Sequence, residues 1–292
     1  MATIREIRGR IKSIQSTEKI TRAMKMVASV KFRKAQQNVV ASRPYSKKLS
    51  AILKNLIPSL EDFDNVLINE REVKKICVVV VAADRGLCGS FNTNLLKAAV
   101  NLIDGKYGEY TKNHNLTLVT IGKKAYDFFY KRHYDIYARY INLFDKLNFT
   151  DSQNIIKEII SGYKEKKFDK VVVIYNEFKS VVQAKITEDR ILPIAGFVDE
   201  KTEKMNTANY IFEPSSSEIV NNLLPRHLNT LMWQVMLESN ASEQAARMTA
   251  MDSATTNAND LVKELSLIYN RARQAAITKE LLEVVSGAEA LK

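Results

Sequence analysis

Residues 226–286, the stretch between Pro225 and Gly287, contain neither glycine nor proline, 61 positions in a row. Inside a helix glycine costs about 1 kcal/mol and proline about 3 kcal/mol relative to alanine, so a gap this long permits one unbroken helix. At about 1.5 Å of rise per residue it would run for roughly 90 Å. A compact body built from a chain of this size measures only a few tens of Å. The helix is therefore expected to project beyond the body that carries it. Its apolar residues mark a face that seeks a partner. Leu261, Leu265, Ile268, Ala272 and Ala275 step by 4, 3, 4 and 3, and Ile277, Leu281, Val284, Ala288 and Leu291 repeat those steps. This is coiled-coil spacing, with a phase shift between the two runs.

The partner helix is expected at the other end of the chain. Ile4, Ile7, Ile11 and Ile14 step by 3, 4 and 3, and the segment from Arg10 to Arg43 again lacks glycine and proline. Further along, the stripe turns small and polar at Thr17, Thr21, Met24 and Ala28, where a dry core would use Leu or Ile. Two amphipathic helices folded onto an ordinary globule would also carry such stripes. The length of the breaker-free run favours projection.

Charge gathers on the same N-terminal helix. Residues 1–57 hold 14 Lys/Arg against Glu6 and Glu18, a net of +12, while the whole chain carries +11. Residues 58–214 hold 23 basic against 22 acidic side chains, and residues 215–292 hold 7 against 9. A basic block of this kind suits nucleic acid, anionic lipid or acidic protein loops, or is a solvated face. No run of 18 apolar residues is present, so no membrane-spanning helix is expected. Arg5, Arg8, Arg10 and Lys12 interrupt the first isoleucines and exclude a signal-peptide core. Cys77 and Cys88 are too few for a disulfide framework and suit a reducing cytoplasm.

The first helix is expected to reach about Ser42, because Arg43-Pro44 disfavours helix there, and to resume from Tyr45 to near Pro58. Residues 59–72 read as a connecting loop. The middle changes character. Residues 75–83 form a β-branched buried-strand run, followed by Asp84-Arg85-Gly86-Leu87-Cys88-Gly89-Ser90 and a helix from about Thr93 to Ile103. Leu116–Ile121 is a second strand and Lys123–Arg132 a helix. Residues 134–144 leave strand and helix both open, with strand preferred. Asp151 or Ser152 is placed to cap a helix reaching Tyr163, Lys170–Tyr175 is a third buried run, and Val181–Ile186 is expected beside it. Strand alternating with helix implies a parallel, doubly wound sheet. Residues 193–209 read as irregular and residues 210–213 as a last short strand. Ser215-x-x-Glu218 has the spacing of a capping box opening the long helix, which Pro225 should kink.

Little here promises chemistry. The strand–glycine-loop–helix at Asp84–Ser90 resembles a phosphate cradle, yet it lacks both G-x-G-x-x-G and a G-K-[ST] ending. Gly86 and Gly89 are more simply explained as a tight turn. Cys88 beside Arg85 could be a lowered-pKa thiol, but no histidine lies near in sequence. His114, His133 and His227 make no metal-ligand spacing. Glu280 and Glu283 share a helix face, as a solvated or interface feature rather than an acid/base dyad. No catalytic, cofactor-binding or metal-binding residues are assigned, and the chain reads as a mechanical or scaffolding part.

Several segments resemble one known family. Ile4-Arg5-Glu6-Ile7-Arg8, Lys19 through Ala28, Ser42-Arg43-Pro44-Tyr45, Asp84 through Gly89, and Ile277 through Leu291 are similar to the gamma subunit of F-type ATP synthase, bacterial type. The resemblance implies an α/β fold class: a long antiparallel coiled coil of the N- and C-terminal helices plus a central Rossmann-like α/β domain. The corresponding boundaries are 1–57, 73–213 and 214–292. It implies a non-catalytic central-stalk rotor without a cofactor, coupling rotation of the c-ring to the alpha3beta3 catalytic sites. The implied partners are the alpha, beta and epsilon subunits and the c-ring, with no nucleic acid and only indirect membrane association. Met24, Lys25, Arg85, Arg273, Gln274, Thr278, Glu280 and Glu283 match beta-subunit contacts, and Tyr210, Phe212 and Glu213 match the c-ring foot. No redox switch is expected, since the inserted cysteine pair of photosynthetic relatives is missing. The implied location is peripheral, at the cytoplasmic face of a bacterial membrane.

Two other classes stay open to the residues alone. One is a nucleic-acid-binding protein with a basic coiled-coil arm, whose binding would weaken steeply with salt. Against it, only Phe32 and Tyr45 supply aromatic rings before residue 57. The other is a nucleotide-dependent enzyme built on the central sheet, which direct ATP binding would reveal.

Overall fold

The structure is a computed structural model that describes residues 3–60, 64–181, 184–194, 213 and 215–290. The chain forms two compact units, Val30–Ala246 and a second one made of Met1–Ser29 with Arg247–Lys292. Helix α1 (Ile4–Leu56) and helix α6 (Ser216–Ala290) each contribute to both.

The larger unit is built on β1 (Ile76–Val81), whose six residues are all buried, as expected of a central strand covered on both faces. Helices α2 (Phe91–Lys106) and α3 (Gly108–Lys112) lead to β2 (Leu116–Ile121). Helix α4 (Lys123–Tyr130) leads to β3 (Ile136–Tyr140), and α5 (Phe149–Lys164) returns the chain to β4 (Lys170–Phe178). The last strand is β5 (Ala184–Leu192). The sheet order is β3-β2-β1-β4-β5. The first four strands are parallel, but β5 runs antiparallel to β4. The all-parallel expectation therefore fails at one edge. Only five residues separate β4 from β5, too few for a helical crossover, so the pair closes as a hairpin.

Alternation along β1 sorts the two faces. Ile76, Val78 and Val80 pack with Leu95, Ala99 and Ile103 of α2 and Ala125 and Phe129 of α4. Cys77, Val79 and Val81 pack with Ile155 and Ile159 of α5, Leu53 and Leu56 of α1, and Leu224, Leu228 and Met232 of α6. The unit is thus a three-layer sandwich in which the two terminal helices supply part of one layer.

That packing carries α1 through the interruption expected at Pro44. Helix α1 continues through Pro44, with Phe32, Ala35 and Val39 buried before it and Leu49, Leu53 and Leu56 buried after it. Helix α6 likewise continues through Pro225, whose neighbours Leu224 and Leu228 are wholly buried. A proline costs a helix about 3 kcal/mol, less than the apolar surface buried on its flanks returns. Helix α5 starts at Phe149 after Asn148, so neither Asp151 nor Ser152 caps it, and the Ser152 hydroxyl donates to the Phe149 carbonyl inside the first turn. The capping expectation at α6 does hold in part: the Glu218 amide donates to Ser215 Oγ at 3.2 Å. Tyr210, Ile211 and Phe212 of the expected last strand lie outside the described residues.

The smaller unit is an antiparallel helix pair. Thr255 donates to Thr21 at 2.8 Å and Lys25 to Asp252 at 2.6 Å, so ascending α1 matches descending α6. Among its described residues the buried ones are Ile7, Thr21, Ala28, Met251, Thr255 and Ala258. On α6 the inward stripe is Met251, Thr255, Ala258, Val262, Leu265, Tyr269, Ala272 and Ala276. Leu265 and Ala272 belong to the expected seam, whereas Leu261, Ile268 and Ala275 are exposed. The phase is set by Met251, Thr255 and Ala258, where the helices are buried most, and the heptad carried forward from them runs one position later than the large aliphatics suggest.

Candidate functional site

In a sheet of this order a ligand crevice opens where the strand order reverses, at the C-terminal ends of β1 and β4. Here α6 fills it. Ser239 donates to the Val81 carbonyl at 3.5 Å, Ser242 donates to the Asn176 carbonyl at 3.2 Å, and Ala246 packs on Ala83, Cys88 and Phe91. Ser239 and Ser242 are buried, as are Glu243 and Ala245 beside them. The place a nucleotide would take is occupied by the chain's own helix.

The turn after β1 is held by Asp84. Its buried carboxylate accepts from the backbone amides of Lys123 (2.9 Å), Asn142 (2.7 Å) and Phe144 (3.1 Å), tying together the segments that follow β1, β2 and β3. Asn92 closes the turn from the helix side, accepting from the Ala83 amide at 3.0 Å and donating to Cys88 Sγ at 3.2 Å. Leu87 and Gly89 have φ of 61° and 58°, so the left-handed positions are at 87 and 89, with Gly86 contributing none. Leu87 points outward and Arg85 is exposed, its guanidinium 2.7 Å from Asp145. Cys88 is buried, which argues against an accessible reactive thiol. Burial also pushes the Cys77 thiol up to about 12, which keeps it protonated. This turn presents Arg85 and Leu87 at the surface of a rigid frame, an arrangement suited to a contact rather than to bond making. Sequence reasoning missed Asp84 and Asn92 as the residues that fix it; their partners are up to 60 positions away.

The second candidate surface is the helix pair. Met24 and Lys25 are half-buried on α1. On α6, Arg273, Gln274, Thr278, Glu280 and Glu283 are all exposed. Thr278 donates to the Gln274 carbonyl at 3.0 Å within the helix, and Glu283 lies 3.7 Å from Lys279. Glu280 and Glu283 share an exposed face. The pairing of Thr21 with Thr255 puts the start of α1 opposite about residue 272 of α6, at one residue per residue along antiparallel helices. Beyond Ala276 no residue of α1 is left to pair with it. There Leu281 is 61% exposed and Val284 70%, with Ile277, Leu282 and Val285 also in the open. The predicted sites therefore fall into separate groups: Met24 and Lys25 share a region of α1, Arg273 through Glu283 share the far part of α6, and Arg85 belongs to the sheet unit. Of the expected foot residues, Glu213 is exposed, while Tyr210 and Phe212 lie outside the described residues.

Among the described residues no group of His, Cys, Asp and Glu is placed to hold a metal ion. His227 is buried in α6, and desolvation holds its pKa below the ordinary histidine range, which keeps it neutral. His114 and His133 sit at left-handed turn positions.

A filled crevice, an exposed contact turn and a helix pair with an uncovered apolar end describe a long-helix protein built to present surfaces for contact. The family profile described as ATP synthase matches residues 3–291. The ATP synthase gamma chain of Chloroherpeton thalassium is 47% identical over 301 residues, covering 100% of this chain and 99% of that one. That of Chlorobium limicola is also 47% identical, over 293 residues and 100% of both chains. This chain belongs to the ATP synthase gamma chain family. In fold it is similar to a chain of the Euglena gracilis mitochondrial ATP synthase rotor, with a TM-score of 0.68, 20% identity, and coverage of 94% of this chain and 98% of that one. A chain of the Tetrahymena thermophila mitochondrial ATP synthase central stalk and c-ring gives 0.61 at 22% identity, covering 80% and 99%.

Proposed function

We infer that this chain is the central-stalk rotor of an ATP synthase, a subunit without catalytic groups that couples ion-driven rotation of a membrane ring to ATP synthesis or hydrolysis elsewhere in the complex. One observation carries the reading from the structure: α6 continues past the start of its partner helix with its apolar side chains uncovered. Such a stripe needs a surface from another molecule. The plugged crevice supports the same reading, since a nucleotide has no place on the central sheet.

The partners that fit are the alpha and beta subunits around the helix pair, with the epsilon subunit and the c-ring against the sheet domain. Residues 1–57 and 214–292 serve as the shaft and residues 73–213 as the foot. Met24 and Lys25 meet an acidic beta-subunit loop, which gives the basic N-terminal helix its target. Arg273 and Gln274 engage a second beta-subunit loop, and Thr278, Glu280 and Glu283 run inside an apical sleeve. Arg85 faces the base of a beta subunit, while Tyr210, Phe212 and Glu213 lie toward the c-ring. Among the described residues no helix is long and apolar enough to cross a membrane. On this reading the chain is held at the cytoplasmic face of a bacterial membrane through the c-ring.

The test is ATPase activity of the matching alpha and beta subunits purified with and without this chain, beside a variant ending at Ala276. Co-purification at one copy per three alpha–beta pairs with raised turnover supports the reading, and the truncation measures what the uncovered end contributes. A chain that stays apart and leaves turnover unchanged overturns it; salt-dependent DNA and RNA binding is then the next measurement.

A further inference from the structure

We propose that Asp252 is a positioning residue that holds Lys25 in reserve, its carboxylate competing with the acidic surface of the neighbouring subunit for that ammonium so that the shaft grips its bearing only weakly. The inference rests on the rotor reading above. Lys25 Nζ donates to Asp252 Oδ1 at 2.6 Å across the two helices of the smaller unit. The side chains are 42% and 55% exposed, so a third group can reach both. The buried bond between Thr255 and Thr21, one turn along, fixes the helix register and keeps the pair within reach.

The surroundings single this pair out. From Ile4 to Ala28, α1 carries Arg5, Arg8, Arg10, Lys12, Lys19, Arg22 and Lys25 against Glu6 and Glu18. Arg22 is engaged by Glu18 of its own helix at 2.6 Å. On α6, Asp252 is the sole acidic residue between Arg247 and Asn259, so the carboxylate facing this part of the basic helix is a single one. An ammonium is a compact charge with three donors on a flexible stem, and it changes partners without reorienting a planar group. Exposed ion pairs are worth little, so an acidic surface can take Lys25 with small loss and Asp252 can recapture it when that surface withdraws. Without Asp252 the ammonium would stay with the partner.

The experiment uses the complex of this chain with its alpha and beta subunits and compares Asp252→Asn, Asp252→Glu, Lys25→Gln and the Asp252→Asn/Lys25→Gln double variant. Asp252→Asn is expected to lower ATPase turnover about threefold at low salt, a factor set by the modest strength of an exposed pair. The loss should fade at about 0.5 M salt as screening shortens. Asp252→Glu should restore turnover, and in the Lys25→Gln background Asp252→Asn should do nothing. A purely structural aspartate would instead give a loss that is insensitive to salt and persists without Lys25, and that result overturns the proposal. Unchanged turnover in a complex that assembles overturns it alone. A chain that does not join the complex overturns the rotor reading and this inference with it.

Discussion

The two units of this molecule hold themselves together in opposite ways. In the sheet unit every residue of β1 is buried, both faces are covered by helices, and the turn at Asp84 is tied by three backbone amides. In the helix pair the buried residues are small or polar at most levels: Thr21, Ala28, Thr255 and Ala258, with Ile7 and Met251 the large ones. Large aliphatics such as Ile20, Val27, Leu267 and Leu281 face outward instead. The sheet unit buries its apolar surface within itself, whereas the helix pair leaves much of its own uncovered, as the proposed rotor role requires.

Changes in the sheet unit should therefore cost far more than changes in the helix pair. The largest effect is expected for Gly122→Ala. Gly122 has φ of 93°, and a Cβ there would lie 2.0 Å from the Ala82 carbonyl oxygen, so the strand ends must separate. A loss of at least about 4 kcal/mol is expected in urea unfolding. Hydrogen exchange in residues 3–29 should be affected less than in β1; equal loss in both would break the distinction between the units. Asp84→Ala comes next, at about 3 kcal/mol, because three backbone donors lose a charged acceptor. The urea midpoint measures the loss, and a variant as stable as the parent would remove Asp84 from its place as the tie.

A smaller, pH-dependent effect is expected at Glu238. Its carboxyl is buried, one oxygen accepts from Gln234 at 3.1 Å, and Arg43 is 3.7 Å away. Burial holds its pKa above the ordinary carboxylate range, and Gln234 and Arg43 only partly offset this. The unfolded chain gives up that proton at lower pH than the folded one. Between the two values the folded state binds more protons, so stability falls as pH rises through that window. Glu238→Gln should flatten the slope and make the sheet unit more stable than the parent at neutral pH, as read from urea midpoints across pH 5–8. An unchanged slope would sink the assignment.

The smallest effect is expected in the helix pair. Replacing Thr21 or Thr255 alone by valine removes the cross-helix bond but leaves the surviving hydroxyl a carbonyl of its own helix, Glu18 for Thr21 and Met251 for Thr255. Each single variant and the double one should therefore unfold within about 1 kcal/mol of the parent in a urea titration. A large cooperative loss would mean that the pair depends on its polar seam for stability, and the contrast with the sheet unit would narrow.

Much of this was legible in the chain itself. The breaker-free run predicts α6, the isoleucine spacing predicts the start of α1, and the β-branched runs predict β1, β2 and β4, because periodicity and local propensity are properties of neighbouring residues. The basic N-terminal helix and the absence of a nucleotide fingerprint are equally local. Three features were decided only in three dimensions. Helix α6 carries two adjacent heptad stripes, Leu261-Ile268-Ala275 and Val262-Tyr269-Ala276, and periodicity cannot choose between them. The partner helix chose the second, through the contacts at Met251, Thr255 and Ala258. The tie at Asp84 joins segments separated by up to 60 positions, beyond the reach of any local pattern. The filling of the sheet's crevice by Ser239, Ser242 and Ala246 requires α6 to cross the ends of β1 and β4. Sequence fixes what each segment can become; which of its faces is buried depends on the surface it meets.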